Sequence, residues 1–448
     1  MFSHPDEQRE VLDEIIVKMK SGRMKRRTFL ERAVAVGLSS TAAVSLLEAC
    51  GGSTGGSSSG PTTITWQTEN DTSGTYPAIV DGYNKTNKDN VHVVWHNGPS
   101  DTSTLITLYD NTLRARSASF DVFNIDVVWP AQFSTQGWTL DLSSRWPASD
   151  RANYLPGPIK SCTYNGAVVA APMRTDLGVL YYRKDIISTP PTTYEELTSM
   201  AKSSLSKAKI GYAWQGIQGE ALVCDFVEVL AGYGGSVLDP SDSKKVVVNS
   251  PEGVAALTEM VGWVGTVSPV SITTYGEEAC RQAFQNGDAA LMRNWPYAYS
   301  LGNDATKSKV AGKFDIQSLP HGGSGTVGHS CVGGWNMAIN AYSKNPDAAW
   351  SFMKYVLGAT AQKTLAITGS YTPALNSVYS DSEVQTKQPL FTKLAPILQN
   401  SLPRPVSPVY TDLSNLIQVN IHQALTKQVS PATALSALQT QLQALVSK

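Results

Sequence analysis

Charge is scarce in this chain and evenly split: 16% of its 448 residues are Asp, Glu, Lys or Arg, with Lys+Arg 36 against Asp+Glu 37. That balance excludes nucleic-acid phosphate and an anionic membrane surface as evident partners, and it points to an uncharged or small ligand. Cysteine is also scarce. Beyond Cys50 only Cys162, Cys224, Cys280 and Cys331 remain, far apart, with no C-x-x-C and no nearby histidine cluster, which excludes a zinc site. In an oxidising compartment these four allow three full disulfide pairings, among which spacing does not choose, and isolated buried thiols are equally consistent. There is no H-E-x-x-H or Walker A loop, no G-x-S-x-G occurs outside the Gly/Ser-rich residues 50–61, and none of the six histidines has a triad setting. No segment repeats at a fixed period, and no apolar run after Cys50 approaches membrane-spanning length.

What is present begins at the amino terminus. Lys25-Arg26-Arg27-Thr28-Phe29-Leu30 precedes a weakly apolar stretch from Ala33 to Leu47, the layout of a twin-arginine export signal. That stretch is shorter than the ~20 residues a spanning helix needs. It ends in Leu47-Glu48-Ala49-Cys50, which resembles a lipobox, so residues 1–49 read as a signal peptide and Cys50 as the site of lipid attachment. Residues 50–61, rich in Gly and Ser, read as a flexible tether. The expected location is the outer face of the cytoplasmic membrane or the periplasm.

The rest of the chain, nearly 390 residues, is too long for one core and suits two lobes. Short β-branched runs at Ile64–Trp66, Val91–Trp95 and Val122–Ile125 alternate with segments of helical period, the pattern of an α/β protein with mostly parallel sheets. Thr193 and Glu196 form a capping-box signature, and Ser250-Pro251, Asn345-Pro346 and Ser430-Pro431 each place a capping side chain before a proline. Leu435, Leu438, Leu442 and Leu445 mark the buried face of the last helix.

Several of the ten tryptophans sit beside proline, glycine or a carboxylate, as in Asp126 to Trp129-Pro130, Asn294-Trp295-Pro296-Tyr297 and Gly333-Gly334-Trp335-Asn336. A sugar ring has apolar faces and a hydroxyl rim, so its receptor needs flat aromatic area together with Asp and Arg side chains that engage paired hydroxyls. The runs Phe120 to Trp129 with Gly137-Trp138, Ala171 to Asp185, Trp214-Gln215-Gly216, Cys224 to Glu228, Phe284 to Ala290, Arg293 to Tyr297, Gly333 to Trp335, Tyr342 to Pro346 and Leu402 to Pro405 occur in order over the whole exported part. Together they resemble the extracellular solute-binding proteins of carbohydrate ABC importers, in the trehalose/maltose-binding branch.

The resemblance implies a periplasmic-binding-protein-like fold: two α/β lobes with a hinge and an interlobe ligand cleft. Lobe I would be residues 62–173 and 331–372, and lobe II residues 174–330 and 373–448, with crossings near Pro172–Asp176 and Gly328–Gly334. It implies no catalysis, cofactor or metal, a monomer, a neutral disaccharide or small oligosaccharide as ligand, and permease subunits as partners. By position, Asp126 and Asp176 would accept sugar hydroxyls, Trp295 and Trp335 would stack on the rings, Gly334 would supply a backbone contact, and Arg404 would reach the ligand from the second lobe. Arg174 stands where the trehalose/maltose relative has tyrosine, replacing an aromatic contact with a forked donor. That relative's arginine has no counterpart near Asp101–Thr104, and its amino-terminal glutamate is not placed within Glu69–Gly74; these departures leave the wider class of small sugars. A glycoside-acting enzyme built on paired carboxylates and a lipid-anchored sugar sensor are the competing readings.

Overall fold

The structure is a computed structural model that describes Lys18, Thr28 and residues 60–447 apart from Ser324, Gln399 and Val406. The export motif, Cys50 and most of the tether lie outside the described residues. Residues 61–448 form one compact unit, and among the described residues no helix is long and apolar enough to cross a membrane.

The first sheet takes the three β-branched runs as β1 (Thr62–Gln67), β2 (Val91–His96) and β3 (Val122–Asp126). Between them lie α1 (Thr75–Thr86) and α2 (Thr102–Arg114), the latter capped by Asp101 accepting from the Thr104 amide at 2.8 Å. The chain returns as β4 (Ala171–Leu177), and after Gly178 it enters the second sheet as β5 (Val179–Arg183). That sheet is completed by β6 (Ile210–Ala213), β7 (Ala289–Asn294) and β8 (Phe314–Gln317), in the order β8-β5-β7-β6. Then β9 (Ser330–Ile339), β10 (Thr372–Pro373) and β11 (Ser401–Pro403) rejoin the first sheet, whose order is β10-β4-β9-β3-β1-β2 with β11 paired to β9. The two α/β lobes are built around these two sheets.

The sheets are mixed, not mostly parallel. β1 runs parallel to β2 and β3, but β9 is antiparallel to both β3 and β4, and β5 is antiparallel to β7 and β8. The reason is topological: β9 brings the chain back through the first sheet against the direction in which β4 left it, so the crossing strands oppose each other. Helix starts largely follow their signals. Thr193 and Glu196 close a reciprocal capping box on α3 (Tyr194–Ser204), while Ser250 and Ser430 cap α5 (Pro251–Trp263) and α8 (Pro431–Val446). Asn345 departs from the expectation: Pro346 opens its helix, but the Asn345 side chain makes no cap bond, its backbone lying outside the extended region that capping favours. Leu435, Leu438 and Leu442 are buried, and Leu445 packs at the edge of the same core.

At the crossing, α4 (Glu220–Gly232) meets both sheets. Its Glu228 receives two hydrogen bonds from Arg293 of β7, Nε to Oε2 at 2.7 Å and Nη2 to Oε1 at 2.6 Å. It also accepts the Cys331 amide of β9 at 3.0 Å. Arg293 and Glu228 are 1% and 2% exposed, so the pair survives only because its lone pairs and protons are satisfied. A methyl group on Gly178 would lie 1.9 Å from Glu228 Oε1 and 2.6 Å from Arg293 Nη2, so glycine is required by close approach. We expect Gly178→Ala to lower unfolding free energy in urea by about 1–3 kcal/mol, the usual cost of overpacking. We expect Glu228→Gln to cost about 3–5 kcal/mol by breaking the buried two-bond pair with Arg293, which would keep Asp225 at 2.9 Å as its remaining carboxylate.

Candidate functional site

Strand register brings the first three site residues together. On β3, β9 and β4, Asp126 pairs with Trp335 and Trp335 with Arg174, so one residue from each strand lies in a single row, and directly paired residues share a sheet face. One and two steps along, Gly334 pairs with Thr175 and Gly333 with Asp176. Gly334 has φ +124°, and a Cβ there would sit 2.4 Å from the Arg174 carbonyl oxygen, so its glycine is demanded by the backbone itself. Trp295 follows β7 in the second sheet, and Arg404 follows β11. All seven ligand-binding residues expected from the sequence line one cavity of about 100 Å³ that opens to solvent.

The cavity is held by two buried arginine networks. Arg404, 2% exposed, donates Nη2 to Asp126 Oδ1 at 2.5 Å and Nη1 to Glu220 Oε1 at 2.6 Å. Glu220 is further held by the hydroxyls of Tyr410 and Ser414 on α7 (Tyr410–Leu425). Here α6 is the helix Glu277–Gln285. Arg174 donates Nη2 to Glu69 Oε1 at 3.1 Å and Nε to the Tyr76 hydroxyl at 3.2 Å, and its Nη1 pairs with the Asp176 carboxylate. Its guanidinium lies over the Tyr371 ring at 4.2 Å. Glu69 also accepts from Asn124 Nδ2 at 2.9 Å, and Asn124 Oδ1 accepts from the buried Trp66 indole at 2.9 Å, which anchors the network in the core. Arg174 therefore organises carboxylates as well as lining the site, more than the single forked contact that its place in the sequence suggested.

Asp126 also accepts the Val128 amide at 3.2 Å, so it shapes the following turn while facing the cavity. Trp335 is buried and meets Trp129 edge to face, ring centroids 5.8 Å apart. One face of Trp295 is covered by the Arg293 guanidinium at 4.0 Å, and its indole N–H reaches Glu277 Oε1 at 3.4 Å. Among the described residues, two buried polar atoms of the wall residues have no hydrogen-bond partner: Asp176 Oδ1, an acceptor, and Arg404 Nε, a donor.

Sequence reasoning missed Glu69, Glu220, Glu277, Glu278 and Tyr371, all of which line the cavity. Glu220, Glu277 and Glu278 stand in the first turn of α4 or α6, where acidic residues are expected for the helix dipole alone.

Burial pushes the carboxyls of Glu220 and Glu277 above the ordinary carboxylate range, opposed at Glu220 by the Arg404 charge. The folded protein therefore binds these protons more tightly than the unfolded chain does. Their stabilising contribution is complete below the unfolded value of about 4.3 and is lost as pH rises through the raised folded values. The stability of Glu277→Gln relative to the natural protein should accordingly increase as pH climbs from about 4 to 7, read as paired melting temperatures without added ligand.

Known proteins give this geometry a setting. Residues 67–363 match the family model described as bacterial extracellular solute-binding protein. A probable ABC transporter-binding protein of Deinococcus radiodurans is 37% identical over 359 residues, 77% of this chain and 84% of that protein. The maltose-bound structure of T. maritima MalE3 superposes with a TM-score of 0.81 at 36% identity, covering 86% of this chain and 100% of that one. An ABC transporter solute-binding protein from Agrobacterium radiobacter K84, solved with ribitol, superposes at 0.77 with 27% identity, covering 86% and 99%.

Proposed function

Because this chain belongs to the bacterial extracellular solute-binding proteins, we propose that it is the capture subunit of an ABC importer for a neutral sugar, a disaccharide or small oligosaccharide. The ligand sits between the lobes, stacked on Trp335 and the open face of Trp295, with Asp126, Asp176, Arg174 and Arg404 on its hydroxyls and the Gly334 backbone beneath. The single observation that carries this reading is the pair of unpartnered buried atoms in the cavity wall, Asp176 Oδ1 and Arg404 Nε. One accepts and one donates, as a sugar hydroxyl both donates and accepts. Flat indole area lies in the same cavity. That MalE3 holds maltose and the Agrobacterium protein holds ribitol supports a polyhydroxylated ligand.

Delivery to the permease follows from lobe closure. A ligand that touches residues from both sheets only when the cleft is shut shifts the population toward the closed form, and the membrane subunits read that form. The lipid on Cys50 would keep the body beside the membrane through the Gly/Ser tether. The protein carries out no chemistry on the sugar.

A thermal-shift screen of saccharides and polyols, begun with maltose and ribitol, should raise the melting temperature for at least one of them. Stabilisation by none, with stabilisation by amino acids instead, would overturn the sugar reading. For the sugar identified, Trp335→Ala and Trp295→Ala should each weaken calorimetric affinity by about 1 kcal/mol or more, and chromatography of the incubated sugar should show no product. Unchanged affinity in both variants would displace the site.

A further inference from the structure

The acids of the cavity wall are not equivalent. Among the described residues, five of the six carboxylates that line it are matched by an arginine: Glu69 and Asp176 by Arg174, Asp126 and Glu220 by Arg404, and Glu278 by Arg281 at 2.6 Å. Glu277 is the sixth, and among the described residues it has no ion pair. What its side chain receives from another residue is the long bond from the Trp295 indole N–H, 3.4 Å to Oε1. Its place is nonetheless fixed. Asn294 Nδ2 donates to the Glu277 carbonyl at 3.0 Å while Asn294 Oδ1 accepts the Trp295 amide at 2.8 Å, so one side chain sets the start of α6 against the indole. One face of that indole is closed by Arg293, whose charge is already taken by Glu228 and Asp225. A ring stacked on the open face would carry the substituents of its rim past the Glu277 carboxylate. In the same wall Asp176, 4% exposed, leaves Oδ1 without a partner, a second acceptor still open to a ligand donor.

We propose that Glu277 is a specificity-determining residue through which the cavity favours a sugar carrying a protonated amine, its ring on Trp295 and its ammonium on the Glu277 carboxylate. The proposal rests on the sugar reading above and extends its ligand class: the neutral sugar still binds, and exchange of one hydroxyl for an amine tightens it. An unpaired carboxylate drawn into a closing cleft loses hydration that nothing in the protein replaces, and a hydroxyl offers only a neutral hydrogen bond in return. An ammonium supplies both the donor and the counter-charge, as arginine does for the other five acids. Burial, which raises the proton affinity of Glu277, works in the same sense: the charged form is costly there until a cation arrives.

To test it, the full-length protein is titrated calorimetrically with glucosamine, galactosamine and the glucosamine dimer of chitosan in slightly acidic buffer, which protonates the amines. Each is compared with its hydroxyl parent (glucose, galactose and cellobiose) and with its N-acetyl form, which keeps the nitrogen and loses the charge. At least one amine should bind about tenfold more tightly than both its parent and its acetyl form, the margin of a charge-assisted hydrogen bond over a neutral one. In Glu277→Gln the ratio of amine to parent affinity should fall to about one, and Glu277→Asp should restore part of it. Amines that bind the natural protein no more tightly than their parents, or a preference that survives in Glu277→Gln, would overturn the proposal and leave the sugar reading in place. Binding of none of these compounds, nor of any saccharide or polyol in the thermal-shift screen, would overturn both.

Discussion

Everything in this structure is arranged around a buried ion pair at the place where the chain passes from one sheet to the other. Arg293 and Glu228 lie against the backbone of Gly178, and Glu228 also holds the first residues of β9. A charge pair withdrawn from water stabilises little by itself, because desolvation offsets most of the attraction. What it does here is specify position. Asp225 stands 2.9 Å from Arg293 as well, and Gln215 both accepts from Arg293 Nη1 at 3.1 Å and donates to the Arg293 carbonyl at 2.9 Å. The helix, both crossing strands and β7 are thereby set to one mutual register, and Trp295, two residues past Arg293, rests on its guanidinium.

The ligand cavity repeats the same device in a less saturated form. Each wall arginine is divided between two carboxylates: Arg404 between Asp126 and Glu220, and Arg174 between Glu69 and Asp176. Sharing orients the acids in a low-dielectric space, and it leaves one acceptor and one donor over. Rigid positioning of a few polar groups between aromatic surfaces lets a site recognise a hydroxylated ring without rearranging around it.

Much of this was legible in the sequence, for physical reasons that differ by residue. β1 to β3 were visible because β-branched runs bounded by turn residues have few alternatives, Trp295 and Trp335 stood out because an indole beside Gly or Pro fits no apolar period, and Asp126 was singled out by the family resemblance. Gly334 could be singled out by its motif, although its reason, a positive φ against the Arg174 carbonyl, lies in the pairing of β4 with β9. Glu220, Glu277 and Glu278 were hidden by a competing local explanation, since helix starts favour acids whether or not a ligand is near. Tyr371 was hidden for another reason: its role depends on contacts with Arg174 and Asp71, 197 and 300 residues away, which no local pattern encodes. The mixed sheets were misjudged because strand direction is set by the return path of the chain, not by strand composition.

The bond from Arg404 to Asp126 has a consequence for affinity itself. Under the proposed function, two of the groups that a sugar would use already satisfy one another in this structure, an internal stand-in for that ligand. Binding is then an exchange of partners in which the incoming hydroxyls must outcompete a charge-assisted bond, and the apparent affinity falls by the fraction of molecules in which that bond is made. Under that function, such self-occupancy would keep the resting site from gripping whatever weakly polar solute drifts in and would favour release once the two residues are drawn back together.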